Sequence, residues 1–533
     1  MNAPATQAVS ADRNGLYWLA ASLIVILAAA LRLYRLDQLS LTLDESTLFR
    51  FAQSVLEHGY PVVPVGSQQV QLATYELMPY IMAPFIWLLG TSDFVIRLPS
   101  VLFAIGTAYL VFSAGCKWFG LRAGVLAGLL YATMPWTIYW GQNAFHPSVA
   151  QFFALLTLIQ AARLLEPGPV PVRTPYLTAL FFSCAFLSWE GIGFLLPILL
   201  ILALVLRWND WSWLKNPHVG YAAAIVALVV VGQGVRRALL VDNYLFVGSG
   251  RGDVALPELA MLQPYYSPYI YADQIFGRYP QFVVGIVFGL GLLFLGRHWH
   301  FRLLSLFVAT SIIVMANLLT FYSYHYIYFV MPAFCLCVGA ATVMFVDWLA
   351  ARANLAGGAI GSSSLVLLML GALELSTAGA YGLKLYNSSD AAAYPDAPGT
   401  RLGVTNIDYR GLGSYFREHY VDGDPIIGFA PFSLQQYTGH SGDMLLENWT
   451  YVRVVFDPGG DRIHYSEKYV GGTVIRNRRE FREVLSRNER VWIVVQPWQM
   501  INSLIDANTL SDLLSRAELV NESFDGRLYL WTR

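Results

Sequence analysis

The chain has 533 residues and a formal net charge of −1, and 56% of its residues are hydrophobic while only 13% are charged. Apolar runs of about 20 residues, the length of a helix that crosses a bilayer, recur along the chain. This composition excludes an ordinary soluble protein and a disordered polymer, and it predicts a polytopic membrane protein. The absence of a Lys/Arg-rich run argues against a nucleic-acid partner.

Hydropathy predicts about eleven transmembrane helices. They lie near residues 15–36, 98–116, 121–139, 148–165, 174–189, 191–206, 218–235, 280–296, 303–321, 326–349 and 362–382. The first run is too long for a signal peptide and lacks a small-residue cleavage site, so we expect it to remain as an anchor. Residues 75–90 are also apolar, but the stretch is short and contains Pro79 and Pro84. We interpret it as a re-entrant or interface-lying helix.

The distribution of basic residues predicts the orientation of the chain. With residues 75–90 held on one side, alternate loops carry a basic set: Lys117, Arg122, Arg163, Arg173, Arg207, Lys215, Arg297, Arg302 and Arg352. The positive-inside rule makes that face cytoplasmic. An odd number of spans then takes the carboxy-terminal region to the outer face, together with the first external loop, residues 37–97. We expect an integral multi-pass protein of the bacterial cytoplasmic membrane.

The carboxy-terminal region, residues 384–533, has the charge content of a soluble domain. Residues 425–429 and 491–495 are predicted buried strands, and residues 409–420, 478–486 and 510–517 are predicted amphipathic helices. Interleaved strands and helices predict an extracytoplasmic α/β domain. We therefore divide the chain into a transmembrane domain, 1–383, and a soluble domain, 384–533.

Asp44 and Glu45 are the first candidate functional residues. They follow the first apolar run and open a stretch with apolar residues at helical spacing: Leu48, Phe51, Ala52, Val55 and Leu56. A carboxylate at the membrane surface can take a proton from a hydroxyl group as that group attacks. The simpler alternatives are that Asp44 is only an N-cap and that Glu45 is only a favourable charge in a first helical turn.

Arg236 and Arg237 end the predicted span 218–235 on the outer side, against the charge bias. A guanidinium group matches the oxygens of a phosphate, so a lipid phosphate is the candidate ligand. The alternative is that both side chains extend toward water or anionic headgroups.

Two histidines and one glutamate are predicted on the same side. His146 and His325 could donate hydrogen bonds to phosphate or sugar, and Glu190 is a third acidic candidate. For His146 the alternative is a helix start marked by Pro147. For His325 it is an aromatic belt at the membrane interface, and for Glu190 a polar turn.

Together these features resemble the GT-C superfamily of polyprenyl-phosphate-sugar-dependent glycosyltransferases, in particular the branch with protein O-mannosyltransferases and the lipid A aminoarabinose transferase. The resemblance rests on Leu43-Asp44-Glu45 after the first span, Arg97-Leu98-Pro99-Ser100 within 90–104, Phe119-Gly120 within 117–135, and residues 326–332. It covers most of the membrane half and is weak over the carboxy-terminal domain.

The resemblance implies a catalytic aspartate in the first external loop, a polyprenyl-phosphate sugar as donor, and inversion at the anomeric carbon. Asp44 takes the catalytic position by motif. The Lys-Pro-Pro of the aminoarabinose branch is absent near Glu76–Pro79, and the second external loop has Asn143 and His146 without the usual acidic residue. Arg236 and Arg237 then substitute as phosphate ligands.

The resemblance to the GT-C superfamily implies a role for each candidate residue. Asp44 and Glu45 are catalytic, and Glu76, Glu190 and Asn143 contact the acceptor or the sugar. The donor phosphate is held by a set of four residues: Arg236, Arg237, His325 and His146. The acceptor is a glycan, a lipid or a protein.

No metal or other cofactor is expected, since guanidinium and imidazole groups can neutralise the leaving phosphate. The cysteines also fall inside apolar runs without ligand spacing. Two alternatives remain open at this point: a lipid-linked oligosaccharide ligase, and a non-catalytic receptor or assembly subunit. A transporter is disfavoured because the spans are nearly free of charge and show no internal repeat.

Overall fold

The computed structural model describes residues 4–38, 40–65, 68–72, 75–239, 244–245, 298–318, 324–352, 409–445, 452–456, 463–495, 511, 514–523 and 526–533. The chain falls into two compact units. The first comprises Met1–Arg35, Arg97–Val235 and Leu256–Ser388, and the second comprises Leu36–Ile96, Arg236–Ala255 and Ser389–Arg533. Apart from Arg97, the predicted first external loop, residues 37–97, therefore belongs to the same compact unit as the carboxy-terminal residues.

The described α-helices are, in chain order, α1 Pro4–Leu33, α2 Leu43–His58, α3 Leu77–Leu89, α4 Asp93–Phe119, α5 Leu121–Thr133, α6 Pro135–Gly141, α7 His146–Leu165, α8 Arg173–Ser188, α9 Leu195–Leu206, α10 Pro217–Leu239, α11 Trp299–Leu318, α12 Met331–Arg352, α13 Tyr409–His419, α14 Pro431–Thr438 and α15 Arg478–Arg487. Short 3₁₀ helices cover Glu190–Phe194, Ser212–Lys215 and Tyr324–Val330.

The described strands are β1 Val62–Val65, β2 Gln68–Leu72, β3 Tyr244–Leu245, β4 Ile426–Gly428, β5 Asp443–Leu445, β6 Val452–Phe456, β7 Ile463–Glu467, β8 Val474–Ile475, β9 Arg490–Val495, β10 Glu518–Ser523 and β11 Gly526–Thr532. They form a three-stranded sheet β1-β2-β3, a six-stranded sheet β10-β11-β9-β4-β5-β8 and a two-stranded sheet β6-β7.

Five helical segments within the described residues are long and apolar enough to cross a membrane: Asn14–Leu33, Asp93–Phe119, His146–Leu165, Pro217–Arg236 and Tyr326–Trp348. Each coincides with a predicted span, and the prediction of a polytopic helical membrane protein is confirmed. The predicted spans 280–296 and 362–382 lie outside the described residues, so the number of spans stays a prediction. Helix α3 has 13 residues, and at about 1.5 Å per residue it is shorter than the bilayer core of about 30 Å.

The predicted span 121–139 is two helices rather than one. Helix α5 ends at Thr133 and α6 begins at Pro135, because proline has no N–H to donate and restricts the residue before it. The carbonyls at the end of α5 then lack helical partners. The buried Arg32 side chain donates hydrogen bonds to two of these carbonyls, Ala132 O at 2.9 Å and Tyr131 O at 3.2 Å.

Close helix packing in the first unit depends on glycine. A Cβ atom at Gly339 of α12 would lie 2.8 Å from the carbonyl oxygen of Ala123 and 2.9 Å from the nitrogen of Ala127, both backbone atoms of α5. Small residues at such crossings let helix backbones approach each other. In a membrane this matters because helices associate through van der Waals packing and not through the hydrophobic effect.

The six-stranded sheet confirms the predicted α/β domain. Strands β8, β5, β4 and β9 run parallel, and β11 and β10 extend the sheet antiparallel. Helix α14 connects β4 to β5 and α15 connects β8 to β9, as parallel pairing requires a crossover. The core contains Ile427, Leu445, Phe481 and Ile493. Of the predicted helix 510–517 the structure describes 511 and 514–517: residues 511 and 514 are helical, and residues 515–517 form a turn and a bend.

We predict that Gly339→Ala destabilises the protein by about 1–3 kcal/mol, because the new methyl group meets fixed backbone atoms rather than a side chain that can rotate. Gly232→Ala in α10 is the matched control, since a Cβ atom there meets nothing within 4 Å, and alanine favours a helix. Thermal unfolding in detergent should separate the two variants. Equal melting temperatures would contradict the packing argument.

Candidate functional site

The amino-terminal end of α2 is fixed by reciprocal hydrogen bonds. Thr42 is the N-cap residue, and its Oγ1 accepts a hydrogen bond from the Glu45 N–H at 3.3 Å. The Glu45 carboxylate accepts one in return from the Thr42 N–H at 2.8 Å. This capping box satisfies two backbone donors that a helix start leaves unpaired. The alternative in which Asp44 is the N-cap is therefore wrong, because Asp44 lies inside the first turn.

The Asp44 carboxylate is half-buried. Within the described part of the chain, no side-chain hydrogen bond or ion pair to it is found. Burial, followed by the negative charge of Glu45, raises the pKa of Asp44 from 3.8 to about 6. At neutral pH this group is ionised and is a stronger proton acceptor than an ordinary carboxylate.

The loop before α2 contacts residues that come much later in the chain. The Leu41 N–H donates to the Tyr437 hydroxyl at 2.5 Å, and that hydroxyl donates to Asp93 Oδ2 at 3.0 Å. Arg410 Nε lies 3.4 Å from the same Asp93 oxygen, and Arg410 also donates to the carbonyl of Asp37. All five residues belong to the second unit. Sequence reasoning missed this cluster.

Arg236, a predicted phosphate ligand, forms an ion pair with Glu76, a predicted sugar contact. Its guanidinium also lies 3.4 Å from Gln71 Oε1 and 3.3 Å from the carbonyl oxygen of Leu72. The structure thus brings together two candidate residues for which the sequence analysis predicted separate roles. The side chain of Arg237 lies outside what the structure describes.

Arg50, six residues after Asp44 on α2, faces a buried carboxylate that sequence reasoning also missed. Its guanidinium donates to the carbonyl of Tyr469 at 3.3 Å. Glu467 is buried and accepts hydrogen bonds from the N–H groups of Tyr469 at 2.9 Å and Val470 at 2.6 Å. Burial raises the pKa of Glu467 to about 7, while those hydrogen bonds and the charge of Arg50 act in the opposite direction.

In the first unit, three aromatic rings form a stacked column. The buried His146 ring stacks on Trp189 with centroids 5.1 Å apart, and Trp189 stacks on Tyr326 at 5.0 Å. Gly191 permits this turn, because a Cβ atom there would lie 2.1 Å from the Trp189 ring. The column joins three loops that were predicted to lie on the same side.

The remaining candidates are neighbours of this column in sequence. Glu190 follows Trp189 and is half-buried, and Asn143 is buried in the turn before α7. His325 precedes Tyr326 in a 3₁₀ helix, but its side chain lies outside the described residues. Trp189 and Tyr326 could have been found, since both adjoin residues already chosen.

The two sets offer different chemistry. The second unit holds carboxylates and guanidinium groups, which suit proton transfer and anion binding. The first unit holds an aromatic column with an imidazole at one end. Across the ranges that the structure describes, no group of three or more His, Cys, Asp or Glu side chains is arranged to hold a metal ion.

Comparisons with known proteins agree with this architecture. Residues 77–233 match the family described as dolichyl-phosphate-mannose-protein mannosyltransferase. A comparison with curated protein sequences gave no match.

Several solved structures are similar to the whole chain. ArnT from Cupriavidus metallidurans in the apo state has 13% identity and a TM-score of 0.59, with 97% of this chain and 98% of that chain covered. The same protein bound to undecaprenyl phosphate gives 13% identity, a TM-score of 0.55, and 96% and 98% coverage.

The archaeal oligosaccharyltransferase AglB from Archaeoglobus fulgidus, in complex with an inhibitory peptide and a dolichol-phosphate, gives 11% identity and a TM-score of 0.56. The match covers 92% of this chain and 71% of that chain. The chain therefore has the fold of ArnT and AglB, and the family match over residues 77–233 agrees with the resemblance to the GT-C superfamily.

We predict that Asp44→Asn stabilises the protein against unfolding at neutral pH. The pKa of Asp44 in the folded state is raised, so the folded protein binds the proton more tightly than the unfolded chain does. Stability from this group is full below pH 3.8 and is lost as pH rises through about 6. Asparagine cannot ionise, so the gain over wild type should grow across that interval and then level off.

Melting temperatures measured from pH 4 to pH 8 test this prediction. Glu57→Gln is the matched control on the same helix, because Glu57 is exposed, and it should track the wild type throughout. A gain for Asp44→Asn that is constant with pH would show that the carboxylate is not the source.

Proposed function

We propose that this chain of GT-C fold is an inverting glycosyltransferase, which moves a sugar from a polyprenyl-phosphate donor to an acceptor on the outer face of the membrane. The observation that carries the proposal is Asp44. Its carboxylate follows the first membrane helix, accepts no hydrogen bond within the described part of the chain, and has a pKa raised to about 6.

In the proposed reaction Asp44 is the general base. Its carboxylate takes the proton of the acceptor hydroxyl while the hydroxyl oxygen bonds to the anomeric carbon of the donor sugar. The bond between that carbon and the phosphate oxygen breaks on the opposite face, so the configuration inverts. Polyprenyl phosphate leaves with the electron pair of the broken bond. A base with a pKa near 6 is ionised at neutral pH and still accepts a proton readily.

Glu45 acts as the partner of Asp44 rather than as a second base. Its carboxylate is held by the Thr42 N–H in the capping box, which fixes the backbone that carries Asp44. Its negative charge also raises the pKa of Asp44. Both effects serve proton transfer without contact between Glu45 and the substrate.

Arg236 binds the donor phosphate by exchanging its partner. In the structure Glu76 neutralises the guanidinium. When the donor arrives, its phosphate takes the place of the Glu76 carboxylate, which then turns to the hydroxyl groups of the sugar. This exchange accounts for both predicted roles, and a guanidinium so placed stabilises the charge that develops on the departing phosphate.

The other candidates remain proposed contacts. Arg237 and His325 are assigned to the donor phosphate, and Asn143 and Glu190 to the acceptor or the sugar. His146 is wholly buried against Trp189, so we assign it to holding that loop in place for the donor headgroup.

The proposal implies that Asp44→Asn abolishes transfer while the protein still folds and binds donor. Loss of a general base lowers turnover by about 10²–10⁴-fold. The variant purified from membranes should retain an isoprenoid phosphate sugar that mass spectrometry identifies. That lipid, supplied with a membrane fraction as acceptor, then serves as substrate, and released polyprenyl phosphate measures turnover.

Glu57→Gln on the same helix should keep wild-type turnover. An Asp44→Asn variant with full turnover would overturn the assignment of the base. A bound lipid carrying an oligosaccharide would favour a lipid-linked oligosaccharide ligase instead. Ordinary phospholipids alone, together with no release of polyprenyl phosphate, would favour a receptor or assembly subunit.

Exchanging the charges of Arg236 and Glu76 separates structure from phosphate binding. Each single reversal, Arg236→Glu or Glu76→Arg, should destabilise the protein by about 1–3 kcal/mol, because a partly buried charge loses its partner. The double variant should regain stability, yet its KM for the donor should stay raised at least about tenfold, since the guanidinium has moved. Recovery of both stability and KM would show that the pair is only structural.

A further inference from the structure

Two consecutive backbone N–H groups lie directly before α2, and each has a side-chain acceptor. The Thr42 N–H donates to Glu45 and the Leu41 N–H donates to the Tyr437 hydroxyl. Leu41 and Thr42 are 1% and 7% exposed, so water cannot readily replace either acceptor. A buried N–H without an acceptor costs free energy. The start of α2 thus depends on Tyr437 as well as on its own capping box.

The Tyr437 hydroxyl has a defined orientation because both of its roles are used. It accepts from Leu41 and donates to Asp93, which is 8% exposed. Arg410 holds Asp93 from the other side and donates to the carbonyl of Asp37, five residues before Thr42. The loop before α2 is therefore held at two points by residues of the carboxy-terminal domain.

Tyr437 is itself fixed by α13. The Tyr409 ring is parallel to the Tyr437 ring, with a centroid distance of 6.4 Å. Arg417 donates to the Tyr437 carbonyl. A Cβ atom at Gly413 would lie 2.8 Å from that carbonyl oxygen, so only glycine allows α13 to approach this closely. The hydroxyl is thus presented by a packed helix pair.

We infer that Tyr437, supported by Asp93 and Arg410, is a positioning residue for the general base: it fixes the loop before α2 and thereby places and shields the carboxylate of Asp44. This inference rests on the proposed function for its effect on turnover. The hydroxyl acts through the backbone of residues 41–44 and not by contact with substrate.

The charges near Asp44 do not by themselves explain its raised pKa. Three further acidic groups lie in the same compact unit as α2, Glu76, Glu467 and Asp93, and a basic residue faces each one. Of the nearby acidic groups, only Glu45 raises the pKa of Asp44 through its charge, and burial raises that pKa more than Glu45 does. Loosening the loop therefore admits water to the carboxylate and lowers its pKa toward 3.8.

Tyr437→Phe in the full-length protein tests the inference. We expect turnover to fall by up to about 100-fold through misplacement of the base, with KM for the donor little changed. The acid limb of the pH–rate profile should move from near pH 6 toward lower pH. Infrared titration of the carboxyl band that Asp44→Asn removes should show the same shift without any substrate. Tyr415→Phe on α13 is the control, and both its profile and its band should match wild type.

The outcomes are distinct. A Tyr437→Phe protein with lower turnover but an unchanged acid limb and an unchanged carboxyl band would overturn the inference, because a smaller folded fraction explains that result. Should Tyr437→Phe fail to fold, Asp93→Asn, which weakens the same cluster, is read in the same two ways. Full turnover in Asp44→Asn would overturn the proposed base, while the infrared shift would still decide whether Tyr437 controls the carboxylate.

Discussion

The structure around α2 depends on one constraint, that buried backbone N–H groups must find acceptors. At residues 41 and 42 the chain cannot supply them from its own backbone, since a helix start leaves its first donors unpaired. Glu45 meets one from within the helix and Tyr437 meets the other from the carboxy-terminal domain. These two hydrogen bonds fix the backbone at the start of α2, which carries Asp44.

This arrangement holds two carboxylates close together in a poorly hydrated place, which by itself opposes folding. The positive end of the helix dipole offsets part of the cost. Backbone donation to Glu45 offsets more, so that the wholly buried carboxylate is the hydrogen-bonded one. The free-energy cost that remains is that of ionising Asp44, and it raises the pKa of this group. A reactive carboxylate and a stable helix start are thus obtained from adjacent residues with different partners.

Local sequence predicted some of these features, and distant contacts decided the others. The pattern of Thr42 followed three residues later by Glu45 is a capping-box signature in the sequence, and it agrees with the observed start of α2 at Leu43. Alternating strands and helices were enough to predict the α/β domain. No local pattern connects Tyr437 with Leu41 or Arg236 with Glu76, because each pair joins segments far apart in the chain and a hydroxyl or guanidinium has many possible partners.

Hydropathy divides the chain at residue 384, whereas contacts divide it into two units with other boundaries. Hydropathy separates segments by the solvent they prefer, so it groups residues 37–97 with the membrane helices that flank them. Contacts separate segments by what they pack against, and they group Leu36–Ile96 with Ser389–Arg533. The carboxy-terminal domain therefore completes the fold of the predicted first external loop. Because the candidate base lies in that loop, a domain that carries none of the proposed catalytic groups still determines where the base stands.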